Sequence, residues 1–208
     1  MNKSIGAIEF KSIAKGIEVS NEMIKKSSVD VLYLKSICPG KFLIIVGGET
    51  SYINECVDYG IKLGEGYIVD NFVINATSQE ILDGFKNKYQ KLDSIVSIGV
   101  VESSKVCAGI KMLDKTLKSG DLVLVKLQLS FAIGGKLVYI VAGDLSSLEY
   151  ALKESENVVR EKEVIYKTVI PSVDSQIIKS LIKNGGNYEY KRNYNLCNGS
   201  LHGAWSYR

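Results

Sequence analysis

This sequence contains few of the residues from which most catalytic centres are built. Its 208 residues include one histidine, His202, which lies in a glycine-rich stretch near the end of the chain. A Ser/His/Asp or Cys/His arrangement therefore has little support. The stretch Gly64-Glu65-Gly66 is not a phosphate-binding loop, because it lacks the further glycine and the Lys-Ser/Thr pair of such loops. The sequence predicts that the protein is not an enzyme.

The sequence also lacks the features of proteins that bind nucleic acid or cross a membrane. Its 26 basic residues nearly balance 23 acidic ones, for a net charge of +3, and they form no long basic run. A nucleic-acid partner is therefore not expected. The longest apolar stretches, such as Phe42–Val46, fall far short of the roughly 20 residues of a membrane span. Since no signal peptide is visible either, the protein is expected in the cytoplasm, with no membrane partner.

Cysteine is present, but no C-x-x-C motif occurs. A zinc ribbon or a thioredoxin-type redox site is therefore not expected, and the thiols should be reduced. Cys56 and Cys107 lie among apolar residues of predicted helices and are expected to pack in the core. Cys197 has no neighbour that would activate its thiol. The fourth cysteine, Cys38, precedes a Pro-Gly dipeptide and is considered below.

What the sequence does contain is an internal repeat. Ser4-Ile5-Gly6-Ala7-Ile8-Glu9 returns as Ser97-Ile98-Gly99-Val100-Val101-Glu102, and Val46-Gly47-Gly48-Glu49 returns as Val141-Ala142-Gly143-Asp144. A period of about 93 residues is too long for a solenoid repeat and fits a small domain. The sequence therefore predicts two copies of one domain. Their expected ranges are 1–90 and 94–183.

The segment 184–208 lies outside the repeat and is rich in Gly, Asn and Tyr. Such a terminal segment is usually mobile. Its aromatic residues leave docking on a surface as an alternative.

Each copy is predicted to run strand, helix, strand, strand, helix, strand, helix. Pro39-Gly40 suits the central positions of a type II turn, so the second and third strands of the first copy should form a hairpin. The copies differ most at this hairpin. The stretch Gln128–Lys136 is longer than its counterpart Ser36–Lys41, with nine residues against six. Because loop tips commonly carry function, the difference indicates where the copies have diverged.

The repeat resembles the bacterial microcompartment (BMC) shell domain. Four stretches are most similar to tandem-domain shell proteins of the iron–sulfur PduT type: Ser12–Gly16, Ile37–Phe42, Ile133–Lys136 and Val169–Pro171. The resemblance implies an α/β fold (an α+β sandwich) with two unpermuted domains. Each domain would have a four-stranded, mainly antiparallel sheet with flanking helices. It further implies a homotrimer that forms a pseudohexameric tile and packs edge to edge with other shell proteins around enzymes.

The resemblance also implies residues at the tile edge. In the family, a lysine within an Asp-x-x-x-Lys helix motif contributes to edge contacts. Asp114 and Lys118 keep both residues of that motif, whereas Asn21 and Lys25 keep only the lysine. Lys25, Lys118 and Asp114 are therefore the expected edge residues.

The hairpin tips should line a central pore if the resemblance holds. The expected pore residues are Ser36, Ile37, Cys38, Pro39, Gly40, Phe131, Ala132, Ile133 and Gly134. One cysteine cannot hold an iron–sulfur cluster, because such clusters typically bind about four thiolates. A three-fold axis would bring three copies of Cys38 to one point. The PduT-type resemblance thus implies one 4Fe–4S cluster per trimer with three Cys38 ligands.

Several functions remain open from the sequence. A bound cluster would move electrons across the shell, or the cluster or its electrons would reach a redox enzyme in the lumen. That enzyme would then be a further partner. A cluster-free tile whose pore passes small metabolites is one alternative. A trimeric ligand-binding regulator with a similar sandwich is another.

Overall fold

Two four-stranded antiparallel sheets, one from each half of the chain, form the framework of the protein. The structure, a computed structural model, describes residues 4–92, 94–129 and 134–183. The first sheet contains β1 (Ser4–Phe10), β2 (Asp30–Ile37), β3 (Lys41–Gly48) and β4 (Ile68–Ile74) in the order β2-β3-β1-β4. The second contains β5 (Ile98–Ser103), β6 (Val123–Leu129), β7 (Leu137–Ala142) and β8 (Val164–Ile170) in the order β6-β7-β5-β8. The predicted α/β fold with two similar halves is confirmed.

Six α-helices flank the sheets in the described part of the chain. They are α1 (Ile13–Lys26), α2 (Thr50–Leu63), α3 (Gln79–Gly84), α4 (Val106–Ser119), α5 (Leu145–Glu156) and α6 (Ser175–Lys183). The predicted order of elements is confirmed in both halves. The sequence predicts the third helix over 78–89, but the helix ends at Gly84, because the chain turns there and Asn87 has a left-handed φ of 54°. The turn directs Tyr89 towards the second sheet.

The two sheets share their strand register, including its irregularities. Both contain a bulge in the outer strand, between Val31 and Tyr33 in one and between Leu124 and Lys126 in the other. The matching register fixes which residues of the copies are equivalent. In the first sheet Leu34 pairs with Ile44, and at the equivalent position of the second sheet Leu127 pairs with Tyr139.

Side chains cap two of the helices in the way their sequences suggest. The Ser12 hydroxyl accepts a hydrogen bond from the backbone N–H of Lys15 at 3.4 Å, and the Asp144 carboxylate accepts one from Ser147 at 3.0 Å. Hydrogen bonds from Ser147 and Ser146 lower the pKa of Asp144 to about 2. Asp144 is therefore ionised at neutral pH, and the N-terminus of a helix favours such a negative charge.

The core is continuous between the two halves of the chain. One cluster of buried residues joins Ile5, Ile45 and Phe72 of the first sheet to Leu124 and Leu127 of the second. A separate cluster fills the space between the first sheet and the helices α1 and α2. Because burying a large aliphatic side chain contributes about 1.5–3 kcal/mol, the shared cluster holds the copies in a fixed arrangement. No helix in the described ranges is long and apolar enough to span a membrane.

A buried hydroxyl pair joins helix α4 to the second sheet, and it yields a stability prediction. The Tyr139 hydroxyl lies 2.8 Å from that of Thr116, and burial raises the pKa of Tyr139 to about 12. The substitution Tyr139→Phe removes this bond, while Thr116 still donates to the Met112 carbonyl at 2.9 Å. We expect a loss of about 1 kcal/mol in the free energy of unfolding, measured by urea denaturation.

Tyr150→Phe is the matched control, because Tyr150 is exposed on helix α5 and should show no change. A loss of equal size in both variants would contradict the role given to the Tyr139 hydroxyl.

Candidate functional site

The hairpin between β2 and β3 presents a cysteine to solvent. Ile37, the last residue of β2, is buried, while Cys38, Pro39 and Gly40 of the three-residue tip are exposed. Gly40 has a left-handed φ of 71°, as the predicted turn requires, and the Cys38–Pro39 peptide bond is cis. Ser36, just before the tip, is exposed as well. The Cys38 thiol therefore lies at the surface of the chain.

The hairpin of the second copy lies directly beside the first. Its predicted pore residues Phe131, Ala132 and Ile133 lie outside the described residues, and Gly134 is exposed. Gly135 has a left-handed φ of 76°, and a Cβ atom built on it would lie 1.9 Å from the carbonyl oxygen of Cys38. Only glycine permits this approach. The structure thus brings the β6–β7 hairpin against Cys38 within one chain.

Open space surrounds parts of both tips. A Cβ atom built on Gly40 or Gly134 would meet no described atom within 4 Å. In the described part of the chain, no three His, Cys, Asp or Glu side chains converge on one point. A metal centre at Cys38 would therefore need donors from outside the described residues of one chain.

A buried ion pair lies at the base of the first hairpin. Glu9 of β1 is fully buried, and its carboxylate pairs with the ammonium of Lys41, the first residue of β3. The other carboxylate oxygen of Glu9 accepts a hydrogen bond of 3.2 Å from the backbone N–H of Val106. Val106 is the first residue of α4, whose N-cap residue Lys105 provides no side-chain cap. Glu9 thus caps a helix of the other copy.

The equivalent pair in the second copy is more open. The Lys136 ammonium donates to Glu102 at 2.8 Å, and about a third of the Glu102 side chain is exposed. Each glutamate thus pairs with the lysine of its own hairpin. This geometry gives Glu9 and Glu102 a structural role. The contact of Glu9 with α4 was not predicted. The Glu and Lys residues at equivalent positions of the repeat were a signal for the two ion pairs.

The contact between the two copies, which we call the seam, joins α4 and β6 of the second copy to the first copy. Its polar contacts include an ion pair between Lys111 and Asp70 at 3.4 Å and a hydrogen bond of 3.4 Å from the Lys105 ammonium to the Val69 carbonyl. Its apolar residues on α4 include Val106 and Ile110, both fully buried. The seam is therefore a packed interface within one chain.

Equivalent positions outside the seam are exposed. On α1, Ile13 and Ile17 correspond to Val106 and Ile110 and have 37% and 53% of their surface exposed. On β2, Val31 and Leu34 are each 42% exposed, whereas their counterparts on β6, Leu124 and Leu127, are 2% and 4% exposed. In the second sheet, the outer strand β8 exposes Ile165 and Tyr166. The chain thus has two open surfaces, each equivalent to one half of its own seam.

The predicted edge residues lie in two different settings. Lys118 donates to the Asp114 carboxylate at 2.7 Å and to the Asn75 carbonyl of the first copy at 3.2 Å. Burial raises the pKa of Asp114, although the hydrogen bond and charge of Lys118 oppose the shift. Lys25 is more exposed, and among the described residues its ion-pair partner is Glu22 of its own helix, at 3.0 Å.

The remaining described cysteines are buried, as predicted. Burial and the nearby Glu55 carboxylate raise the pKa of Cys56 to about 11, and the Cys56 thiol donates to the Met23 carbonyl at 3.6 Å. Burial also raises the pKa of Cys107 well above its ordinary value. Neither thiol is suited to bind metal. Cys197 lies outside the described residues.

The ion pair beneath the hairpin yields the next prediction. Glu9→Gln leaves the Lys41 ammonium largely buried without a counter-charge, and we expect the free energy of unfolding to fall by about 3 kcal/mol. The measurement is urea denaturation at one fixed protein concentration. Glu22→Gln, which breaks the exposed pair with Lys25, should cost less than about 1 kcal/mol. Equal losses in the two variants would refute the central role of Glu9.

Comparison with known proteins identifies related sequences. The BMC domain family matches residues 4–77 and 97–173, one match in each half of the chain. The chain is 32% identical to the bacterial microcompartment shell protein PduT of Citrobacter freundii over 184 residues, which cover 88% of this chain and all of that protein.

Solved structures show the same fold. A microcompartment protein from Desulfitobacterium hafniense DCB is 28% identical, with a TM-score of 0.76, covering 86% of this chain and 99% of that one. A fused permuted hexameric shell protein of the RMM microcompartment is 14% identical, with a TM-score of 0.57, covering 75% of this chain and 83% of that one. At that identity the second likeness concerns the fold alone.

Proposed function

This chain belongs to the BMC domain family of bacterial microcompartment shell proteins, and from that premise we propose that it forms a homotrimeric tile whose central pore binds a 4Fe–4S cluster. The observation that carries the tile is the pair of open surfaces on α1 with β2 and on β5 with β8. Each is equivalent to one half of the seam inside the chain. The observation that carries the cluster is the exposed thiol of Cys38 at a hairpin tip.

The seam inside the chain is the pattern that we propose for the contacts between chains. It is heterologous, because two different surfaces of the repeated domain meet, and such contacts form a ring when their rotation closes. Repeating it between chains would place Ile13 and Ile17 of one chain against β5 and β8 of the next. Glu102 would then meet the N-terminus of α1, as Glu9 meets that of α4. Three chains give six domains and a hexagonal outline, which packs edge to edge without gaps.

The residues at the tip fit an iron–sulfur cluster. Cysteine thiolates are the usual ligands of such clusters, and Cys38 is the exposed thiol among the described residues. A three-fold axis beside the tips would supply three of them. A Cβ atom built on Gly40, two residues after Cys38, would meet no described atom within 4 Å, so the described residues leave space at this tip. When bound, the cluster would supply one-electron transfer, either across the shell or to a redox enzyme in the lumen.

A cluster-free pore is the second candidate function. The open space beside Gly40 and Gly134 favours it, because glycine has no side chain that would obstruct a pore between the tips. Iron content separates the two candidates. A ligand-binding regulator would remain as discrete trimers, whereas a tile would form sheets through contacts between its edges. We propose Lys25, Lys118 and Asp114 as the residues of those edge contacts.

The ligand assignment predicts the behaviour of Cys38→Ser. Protein purified without oxygen should be brown and contain about four iron and four sulfide per trimer. The Cys38→Ser variant should lose colour, iron and sulfide because its hydroxyl does not replace a thiolate, while its trimeric mass should stay unchanged. Cys197→Ser is the matched control and should keep the cluster. Iron and colour retained in Cys38→Ser would exclude Cys38 as the ligand.

The tile predicts that Ile17→Asp breaks the trimer without unfolding the chain. Ile17 is 53% exposed in one chain but would be buried against the next one, where a carboxylate costs several kcal/mol. We expect a monomer by light scattering, with an unchanged circular dichroism spectrum.

Tyr150→Asp is the control for this experiment. Tyr150 and its counterpart Glu55 are both exposed, so the residue lies outside the seam in either copy. A trimeric Ile17→Asp variant would contradict the proposed contact.

A further inference from the structure

One polar contact of the seam is an ion pair between helix α4 and strand β4. The Lys111 ammonium lies 3.4 Å from one carboxylate oxygen of Asp70 and 3.5 Å from the other. The contact partly shields both groups, since 25% of the Lys111 side chain and 12% of the Asp70 side chain are exposed. Opposite charges thus meet where the second copy packs on the first.

The repeat shows which residues occupy the same positions on the two open surfaces. Glu18 is the sixth residue of α1, and Lys111 is the sixth residue of α4. Asp70 on β4 and Tyr166 on β8 each pair with the repeated glutamate of the neighbouring strand. On the open surfaces a glutamate therefore stands in place of the lysine, and a tyrosine stands in place of the aspartate.

Both of these residues are exposed in the single chain. The exposed fraction is 65% for the Glu18 side chain and 67% for Tyr166. Glu18 forms an ion pair with Lys15 at 2.9 Å, and such an exposed pair contributes little to stability. Within the described ranges, the Tyr166 hydroxyl makes no hydrogen bond. An exposed tyrosine with an apolar ring and a free hydroxyl is typical of interfaces.

The two replacements compensate for each other. If Asp70 had an aspartate as its counterpart on β8, that aspartate would face Glu18 when the seam is repeated between chains, and two carboxylates in one site repel. A tyrosine hydroxyl donates a hydrogen bond to a carboxylate instead. The longer reach of tyrosine also offsets the shorter reach of glutamate relative to lysine.

We propose that the Tyr166 hydroxyl donates a hydrogen bond to the carboxylate of the partner subunit's Glu18. This inference rests on the proposed trimer, and it names the pair that replaces the internal ion pair in the contact between chains. The pair also selects which copies meet. A first copy docked on another first copy would place Glu18 against Asp70, and their repulsion disfavours that arrangement. First and second copies therefore alternate around the ring.

Exchange of chains between isotopically labelled and unlabelled trimers tests the proposal, with native mass spectrometry as the measurement in urea below the unfolding transition. A leaving chain breaks the contact on both of its open surfaces. Tyr166→Phe should therefore speed exchange about tenfold for each contact and about a hundredfold in all, because a hydrogen bond to a charged group is among the stronger ones. In a Glu18→Ala background, Tyr166→Phe should add no further acceleration, because the two residues act as one pair.

A charge replacement rebuilds the internal ion pair between chains. Tyr166→Asp places a carboxylate against Glu18 and should speed exchange more than Tyr166→Phe does. Adding Glu18→Lys to Tyr166→Asp reproduces the pair of Lys111 with Asp70 and should return exchange close to the unaltered rate. Asp70→Asn is the matched control and should leave the rate unchanged, because a leaving chain does not break its own internal seam.

The outcomes separate this inference from the proposed function. Trimers in which Tyr166→Phe exchanges at the unaltered rate overturn the pair and leave the tile standing. Equal acceleration by Tyr166→Phe with and without the Glu18 carboxylate overturns the pair as well, and so does a failure of Glu18→Lys to rescue Tyr166→Asp. A chain that remains monomeric at every concentration overturns the tile itself, and with it the partner that the inference needs.

Discussion

The arrangement of the two copies depends on the contacts of one buried carboxylate, that of Glu9. It is fully buried and binds two groups from different parts of the chain, the Lys41 ammonium at the base of the first hairpin and the backbone N–H of Val106 at the start of α4. A buried charge is tolerated only when it is paired and hydrogen-bonded. The pairing therefore orients the hairpin that carries Cys38 relative to the second copy.

Much of the fold could be predicted from the sequence, because it depends on local patterns. The repeat, the Pro39-Gly40 hairpin and the order of elements follow from turn residues and apolar periodicity, and the resemblance to the BMC domain is confirmed. The shortened α3 and the contact of Tyr89 with Leu127 could not be predicted. They depend on a partner strand that is distant in sequence.

The candidate site was harder to predict for a physical reason. Ile13 and Val106 are both apolar residues at the start of equivalent helices, yet one is 37% exposed and the other fully buried. Sequence periodicity gives the apolar face of a helix but not what covers it. The exposed position of Cys38 was predictable from its turn, whereas the contact of Gly135 with Cys38 required coordinates.

The contact of Gly135 with the Cys38 carbonyl constrains how the two repeats can change over evolution. A side chain at position 135 would occupy the space of the Cys38 backbone, so this glycine is fixed by a residue of the other repeat as well as by the left-handed turn of its own hairpin. The two repeats are free to differ in sequence, but their hairpins must change together. Sequence change in the second repeat, whose hairpin has no counterpart of Cys38, is thus limited by the first repeat.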